Sequence, residues 1–279
     1  MKEIKYPLYV ITAMLIFGSM GIFARLSGQN GLVVAAAASL VSAFFMFFIL
    51  LKNKELKQLF TKKVWILLLI GLFGAANNSM YFYAFSLTKI SNAVLLHYLA
   101  PVFVLLLSFF MFKEKISMKR ILSVIAAMAG LALVIGKLDF GSSIALGNLL
   151  AMGSALGYAA SLVTYKKAMQ YFNIKQIIFF QMLFTFAVFS PFLIIAAPSI
   201  SSASWAYLAI VGFVHQFIAV IFHLKGLEKL KATTVAVLSY TEPVFAAVFA
   251  WLLLSESITP AAAAGGILIL AASFYNISE

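Results

Sequence analysis

The chain contains no cysteine, and only eight of its 279 residues are acidic, against twenty lysines and arginines. Without cysteine there is no disulfide framework and no thiolate metal site. Its three histidines, His97, His215 and His223, have no zinc-ligand spacing, so no metal is expected. No Walker A motif occurs, which argues against ATP as an energy source. Charged residues are only 10% of the chain, whereas a soluble domain carries about 25%. An intramembrane enzyme would need a paired acid and base or a metal cluster at membrane depth. One buried carboxylate and scattered histidines do not supply it, so no enzyme and no cofactor are expected. The first apolar run lacks a convincing small-residue cleavage site and reads as an uncleaved span.

What is abundant is apolar length. Hydrophobic residues make up 64% of the sequence. A soluble core of this length could not hide that surface, so lipid must be its solvent. Ten runs reach the roughly 20 residues a membrane helix needs: 6–25, 32–51, 64–87, 91–112, 119–136, 144–165, 175–197, 203–223, 232–254 and 260–277. Barrel strands would show alternating polar residues, which are missing. The expected fold class is an all-α membrane protein of ten transmembrane helices. The connections are too short to hold a soluble domain.

The net charge of +12 suggests nucleic acid at first sight, but its distribution argues otherwise. With the N-terminus inside, 17 of the lysines and arginines fall on the inner side, and only Arg25, Lys89 and Lys137 fall outside. The positive-inside rule accounts for this bias. It predicts a multi-pass protein of the inner or plasma membrane with both termini cytoplasmic, surrounded by lipid and without a nucleic-acid partner.

One segment occurs twice. Tyr98-Leu99-Ala100-Pro101-Val102-Phe103 returns as Tyr240-Thr241-Glu242-Pro243-Val244-Phe245, an offset of 142 residues. The same offset pairs Lys89 with Lys231, Leu96 with Leu238 and Glu114 with Glu256. The chain therefore divides into repeats at 1–138 and 139–279. Five spans per repeat is an odd number, so the second copy enters the membrane from the opposite face. Such inverted repeats place a binding site near the midplane.

Candidate site residues follow from what is costly in lipid. Pro101 and Pro243 interrupt helices and free the carbonyls of His97 and Ser239; they are candidate hinges, or simple packing kinks. Glu242 is the one carboxylate deep in the membrane, where an ionisable group is a functional hypothesis by default. It could couple protons, meet an ammonium group, or be a structural glutamate bonded to backbone amides or Tyr240. His97 lies one turn before Pro101. Asn77 and Asn78 are adjacent amides in span three, and Asn77 shares a face with Tyr81; substrate recognition and helix–helix glue are both open. Tyr98 and Tyr240 open the repeated segment. Ser154, Tyr158, Ser161 and Tyr165 form one helical stripe, either a cavity wall or part of a packing face with Gly153 and Gly157. His215, Gln216, His223 and Gln181 are weaker candidates. Glu114 and Glu256 read as structural, and Thr259-Pro260 as a helix start.

In this order and spacing, the motifs resemble the ten-helix EamA-type members of the drug/metabolite transporter superfamily over essentially the whole chain. Phe17-Gly18-Ser19 with Arg25 is similar to the family's Trp-Gly-Ser plus basic residue. Leu99-Ala100-Pro101-Val102-Phe103 leads to Lys113-Glu114-Lys115, Glu242-Pro243-Val244-Phe245 leads to Ser255-Glu256-Ser257, and Gly147-Asn148 opens span six. The resemblance implies a secondary carrier, often an exporter of amino acids or other small metabolites, working by alternating access. The modest polarity of the candidate residues suits a small, partly apolar solute such as an amino acid, with protons as a candidate coupling ion. An importer of a nucleoside-like or cofactor metabolite and a non-transporting scaffold or sensor are the rivals.

Overall fold

The structure, a computed structural model, describes residues 4–59, 63–88, 90–113, 117–135, 145–255 and 257–277. No strand occurs among them. The first five crossings are α1 (Lys5–Leu26), α2 (Gly31–Lys52), α3 (Val64–Leu87), the pair α4 (Ile90–His97) and α5 (Ala100–Phe112), and α6 (Met118–Ile135). The second five are α7 (Ala145–Ala168), α8 (Ile174–Ala196), α9 (Ser202–Ile210) running into α10 (Val220–Lys229), the pair α11 (Ala232–Ser239) and α12 (Thr241–Leu254), and α13 (Pro260–Ile277). The expected junction at 138/139, together with Lys89, Lys137, Glu114 and Glu256, lies outside the described residues.

Hydrocarbon offers no hydrogen bonds, so each crossing satisfies its own backbone as a helix. The ends are capped by side chains. Asn30 accepts from the amides of Leu32 and Val33, Asn173 and Gln176 form a reciprocal capping box, and Ser201 accepts from Ser204. The Ala262 amide donates to Thr259 at 3.1 Å, which makes Thr259 the expected cap before Pro260. Two expected spans stop short of the true helices. α7 continues to Ala168 and α10 to Lys229, because lysines near a helix C-terminus favour the dipole and reach the interface with their amines. Lys166 donates to the carbonyls of Leu227, Glu228 and Leu230 at 2.7, 2.9 and 2.7 Å, closing the end of α10.

The repeat seen in the sequence is a repeat in space. α4 and α11 begin 142 residues apart and end 142 residues apart, as do α6 and α13. Lys113 and Ser255, also so spaced, end α5 and α12 in the left-handed conformation, with φ of 53° and 56°. The packing obeys the same exchange. α3 lies on α7 as the α9–α10 crossing lies on α1, and α4–α5 meets α7 as α11–α12 meets α1. α2 packs on α8 and α6 on α13, pairs that map onto themselves and so straddle the axis. Two five-helix units entering from opposite faces are an inverted repeat.

Small residues let these crossings close. A Cβ on Gly130 would sit 2.6 Å from the Gly265 carbonyl, and one on Gly18 would sit 2.9 Å from Phe245 and Ala246. Val10, Met14, Met46, Ile70, Leu162 and Leu224 fill the main core. Phe44, Phe48, Phe110, Ile194 and Ile195 point outward, as a lipid-facing surface requires.

Candidate functional site

The two helix breaks meet. A continuous span over 91–112 with Pro101 inside it is the sequence expectation. The chain instead stops α4 at His97 and restarts α5 at Ala100, and it restarts α12 at Thr241 after Ser239. Pro101 is thus the second residue of α5 and Pro243 the third of α12. In a first turn the missing amide hydrogen costs nothing, because it has no helical partner anyway. This corrects the expectation of prolines in helix interiors: each proline follows a break instead of bending a helix from within.

The first break is then used. The Val102 amide donates to the Leu99 carbonyl at 2.9 Å, which leaves the Tyr98 carbonyl for another donor. That donor is the Tyr240 hydroxyl, at 2.9 Å and 142 positions away. The two rings stack at 5.9 Å and 28°. Because Tyr98 and Tyr240 are equivalent in the two repeats, the pseudo-two-fold axis passes between them.

Around this stack the polar candidates converge. Glu242 lies in the first turn of α12, the end of a helix whose dipole favours a carboxylate. Its carboxyl group hydrogen-bonds the Tyr98 side chain and lies within electrostatic range of Tyr81 and Tyr158. The partner is Tyr98 and not Tyr240, whose hydroxyl is already spent on the carbonyl. Tyr158 also reaches the Ser239 side chain.

His97 packs its ring 4.3 Å from Tyr81 and 5.7 Å from Tyr158. Its Nδ1 lies 2.9 Å from Ser154 Oγ, which donates to the Ala151 carbonyl. The serine hydrogen is committed, so His97 Nδ1 carries the proton and Nε2 is left as a lone-pair acceptor. Tyr81, His97, Tyr98, Tyr158 and Glu242 are all half-buried, so each keeps accessible surface in the middle of the fold.

Asn77 reaches this region by backbone. A Cβ on Gly157 would lie 3.2 Å from Asn77, so the small face of α7 seats α3 while the adjacent Tyr158 turns to the cluster. The Gly157 side of the stripe is therefore a packing face, and Tyr158 stands on the neighbouring face. Asn77 Nδ2 donates to Asn78 Oδ1 at 3.4 Å, and Asn77 Oδ1 is buried without a partner. Gln181 Oε1 is likewise buried and unpartnered, and its amide covers Gly74 one turn from Asn77.

Other candidates serve packing. His215 bonds Ser19 Oγ through Nε2 at 3.0 Å and lies 5.7 Å from the Phe23 ring. His223 is buried against Phe17. Ser161 bonds back to the Gly157 carbonyl, and Tyr165 is buried. Gln216 belongs to a π-helical stretch, Val211–Ala219, and its carbonyl accepts from Ser42 at 3.0 Å.

Two residues named in the sequence only for a freed carbonyl and for a motif, Ser239 and Asn148, have side chains that also take part. Ser239 is the repeat counterpart of His97, and the 142-residue offset alone would have pointed to it. Asn148 accepts from Thr88 and Asn92 at 2.7 and 3.2 Å, tying α3, α4 and α7 together at one end.

The site is lopsided. The two-fold places Ala219 opposite Asn77, Ile16 opposite Tyr158 and Ala100 opposite Glu242. The polar groups come from α3, α4 and α7 on one side of the axis, plus the single carboxylate.

Comparison with known proteins gives a consistent picture. The EamA-like transporter family matches residues 4–136 and again residues 145–278. An uncharacterized transporter from Synechocystis is 24% identical, over 97% of this chain and 86% of that protein. The pseudopaline exporter CntI of Pseudomonas aeruginosa is 26% identical, over 88% of this chain and 89% of the exporter. A crystal structure at 20% identity superposes with a TM-score of 0.85, over 97% of this chain and 95% of the other; that likeness shows a shared fold.

Proposed function

The chain belongs to the EamA-like transporter family, and on that premise we propose that it exports a small metabolite, an amino acid or close derivative, across the cell membrane. The observation that carries this reading is the meeting of two equivalent helix breaks on the repeat axis, beside Glu242, the one carboxylate among the described residues at that depth. Broken helices at a repeat interface are where secondary transporters bind their solutes.

The repeats, divided at 138/139, rock about the Pro101 and Pro243 breaks and expose the Glu242 cluster to each side in turn. Asn77, Asn78, Tyr81, His97, Tyr98, Tyr158, Tyr240 and Glu242 form or wall the solute site. Solute and proton compete at Glu242, which couples the two fluxes. The lysine-rich end, with both termini, faces the cytoplasm. The exporter named among the relatives supports the outward direction.

The test is flux in sealed proteoliposomes. Preloaded amino acids should exchange across the membrane faster than in protein-free vesicles, and folded Glu242→Gln protein should lose that flux or its pH dependence. No amino acid moving above the protein-free rate would refute the substrate reading. A normal rate and pH profile in Glu242→Gln would remove Glu242 from the mechanism.

A further inference from the structure

An amino acid carries two charges, and a site that recognises both must hold a partner for each. The Glu242 cluster holds a partner for one. Every lysine and arginine of the described crossings lies near a helix end, so none stands at the level of the breaks to meet a carboxylate. The substitute a broken helix usually offers is the N-terminus of its second half, where free amides point at an anion. Here a proline removes one amide from each such end. At α5 the Val102 and Phe103 amides turn back to the Leu99 carbonyl, at 2.9 and 3.3 Å, and Pro101 has none to give. At α12 the first turn contains Pro243, and it already carries the Glu242 carboxyl group.

What the cluster does offer is acceptors. Glu242 contributes carboxylate oxygens, His97 contributes its Nε2 lone pair, and Tyr81 and Tyr158 contribute hydroxyls that accept as well as donate. Deeper along the α3 face, Asn77 Oδ1 and Gln181 Oε1 are buried acceptors that no protein donor reaches. Six acceptor groups without a cation describe a complement to something rich in N–H donors. A protonated primary amine brings three donors and a positive charge, and aromatic rings beside a carboxylate add to the attraction.

We propose that the cluster around Glu242 is a site for primary organic ammonium ions, and that it holds no cationic counterpart for a solute carboxylate. This rests on the transport reading and narrows it. The ammonium group sits at Glu242 within reach of His97 Nε2. Tyr81, Tyr98 and Tyr158 wall it. The rest of the solute extends toward the apolar side of the axis. A solute carboxylate would instead be desolvated near a like charge, so decarboxylating an amino acid should improve binding.

Matched pairs test this on the purified full-length protein: phenethylamine against phenylalanine, isoamylamine against leucine, and 3-phenylpropionate as the acid without an amine. Binding is read by calorimetry and by ligand-dependent thermal stabilisation. The expected result is at least tenfold tighter binding of each amine than of its amino acid, with no binding of the acid. N-Trimethylated phenethylamine should bind at least tenfold more weakly than the primary amine, because it keeps the charge and loses the donors. Glu242→Gln protein that remains monodisperse should bind none of them.

Amino acids binding as tightly as the amines, binding of the acid alone, or a trimethylated ligand equal to the primary amine would each overturn the proposal. So would the absence of any amine binding. If proteoliposomes export amino acids while no amine binds, this inference falls and the export reading stands. If amines bind and move while amino acids do not, the inference stands and the amino-acid reading falls.

Discussion

Replacing Tyr240 by Phe removes one oxygen atom from the centre of the molecule. The ring and its stack on Tyr98, at 5.9 Å and 28°, remain. The lost group is the hydroxyl that donates to the Tyr98 carbonyl at 2.9 Å. That carbonyl has no fallback donor, because the Val102 amide is committed to Leu99. A buried acceptor left unpaired costs about 1–3 kcal/mol, while hydrogen bonds between membrane helices average only about 0.6 kcal/mol because alternative partners are found. The absence of an alternative here favours about 1–2 kcal/mol, or a factor of about 5–30 in equilibrium. Unfolding of purified protein by a denaturing detergent should show that loss. Tyr98→Phe is the control: it keeps the carbonyl bond and removes only the contact with Glu242, so it should change solute binding more than stability. A Tyr240→Phe protein as stable as wild type, within about 0.3 kcal/mol on the same scale, would refute the claim that the Tyr98 carbonyl depends on this donor.

Four further outcomes are expected. Gly130→Leu should separate α6 from α13 and prevent folding, since even a Cβ there would lie 2.6 Å from the Gly265 carbonyl; a Gly130→Leu protein with wild-type expression and detergent stability would contradict the close crossing. His215→Ala should lower stability by about 1–3 kcal/mol through the lost Ser19 bond and buried ring while leaving solute affinity unchanged. His97→Ala should do the reverse and weaken solute binding at least tenfold, so identical phenotypes for the two variants would undo the assignment of one to packing and the other to the site. Cysteines introduced at the exposed positions Asn53 and Tyr171 should react with an impermeant reagent only from the cytoplasmic side, and one at the exposed Ser202 only from outside; external labelling of Asn53 would invert the topology.

The crossings were legible because lipid imposes a single rule. Each must be long, apolar and helical, and loops must gather the charge. The repeat was legible because Pro, Glu and aromatic residues recur at one offset in two places. Where the helices break was only half legible. A proline marks the neighbourhood of a break, but the position of the restart depends on which amide caps the new helix, and that depends on contacts across the molecule. Tyr98 and Tyr240 show the limit. Their equivalence is visible in sequence, yet one hydroxyl bonds a carbonyl and the other a carboxyl. The π-helical stretch Val211–Ala219 has no sequence mark; within it the Gln216 carbonyl accepts from Ser42 and His215 bonds Ser19.

That difference between equivalent tyrosines has a physical origin in one substitution between the repeats. Were the two halves identical, each tyrosine hydroxyl would bond the carbonyl of the other and the axis would carry a closed, neutral pair. Position 100 is alanine and its counterpart, position 242, is glutamate. The carboxyl group draws the Tyr98 hydroxyl to itself, and only the Tyr240 half of the exchange survives. The same asymmetry brings Tyr81 and Tyr158 to the charge, while their counterparts His223 and Ile16 stay in the packing. An inverted repeat supplies two equivalent breaks and a way to rock between them, and symmetry alone gives neither a preferred solute nor a coupling group. Swapping the pair, Ala100→Glu together with Glu242→Ala, would move the charge across the axis into surroundings without Tyr81, His97 or Tyr158. If the repeat supplies the motion and the surroundings of Glu242 supply the recognition, this double variant should fold yet fail to bind an amine. Wild-type affinity in the double variant would mean that the carboxylate alone, on either side of the axis, is sufficient.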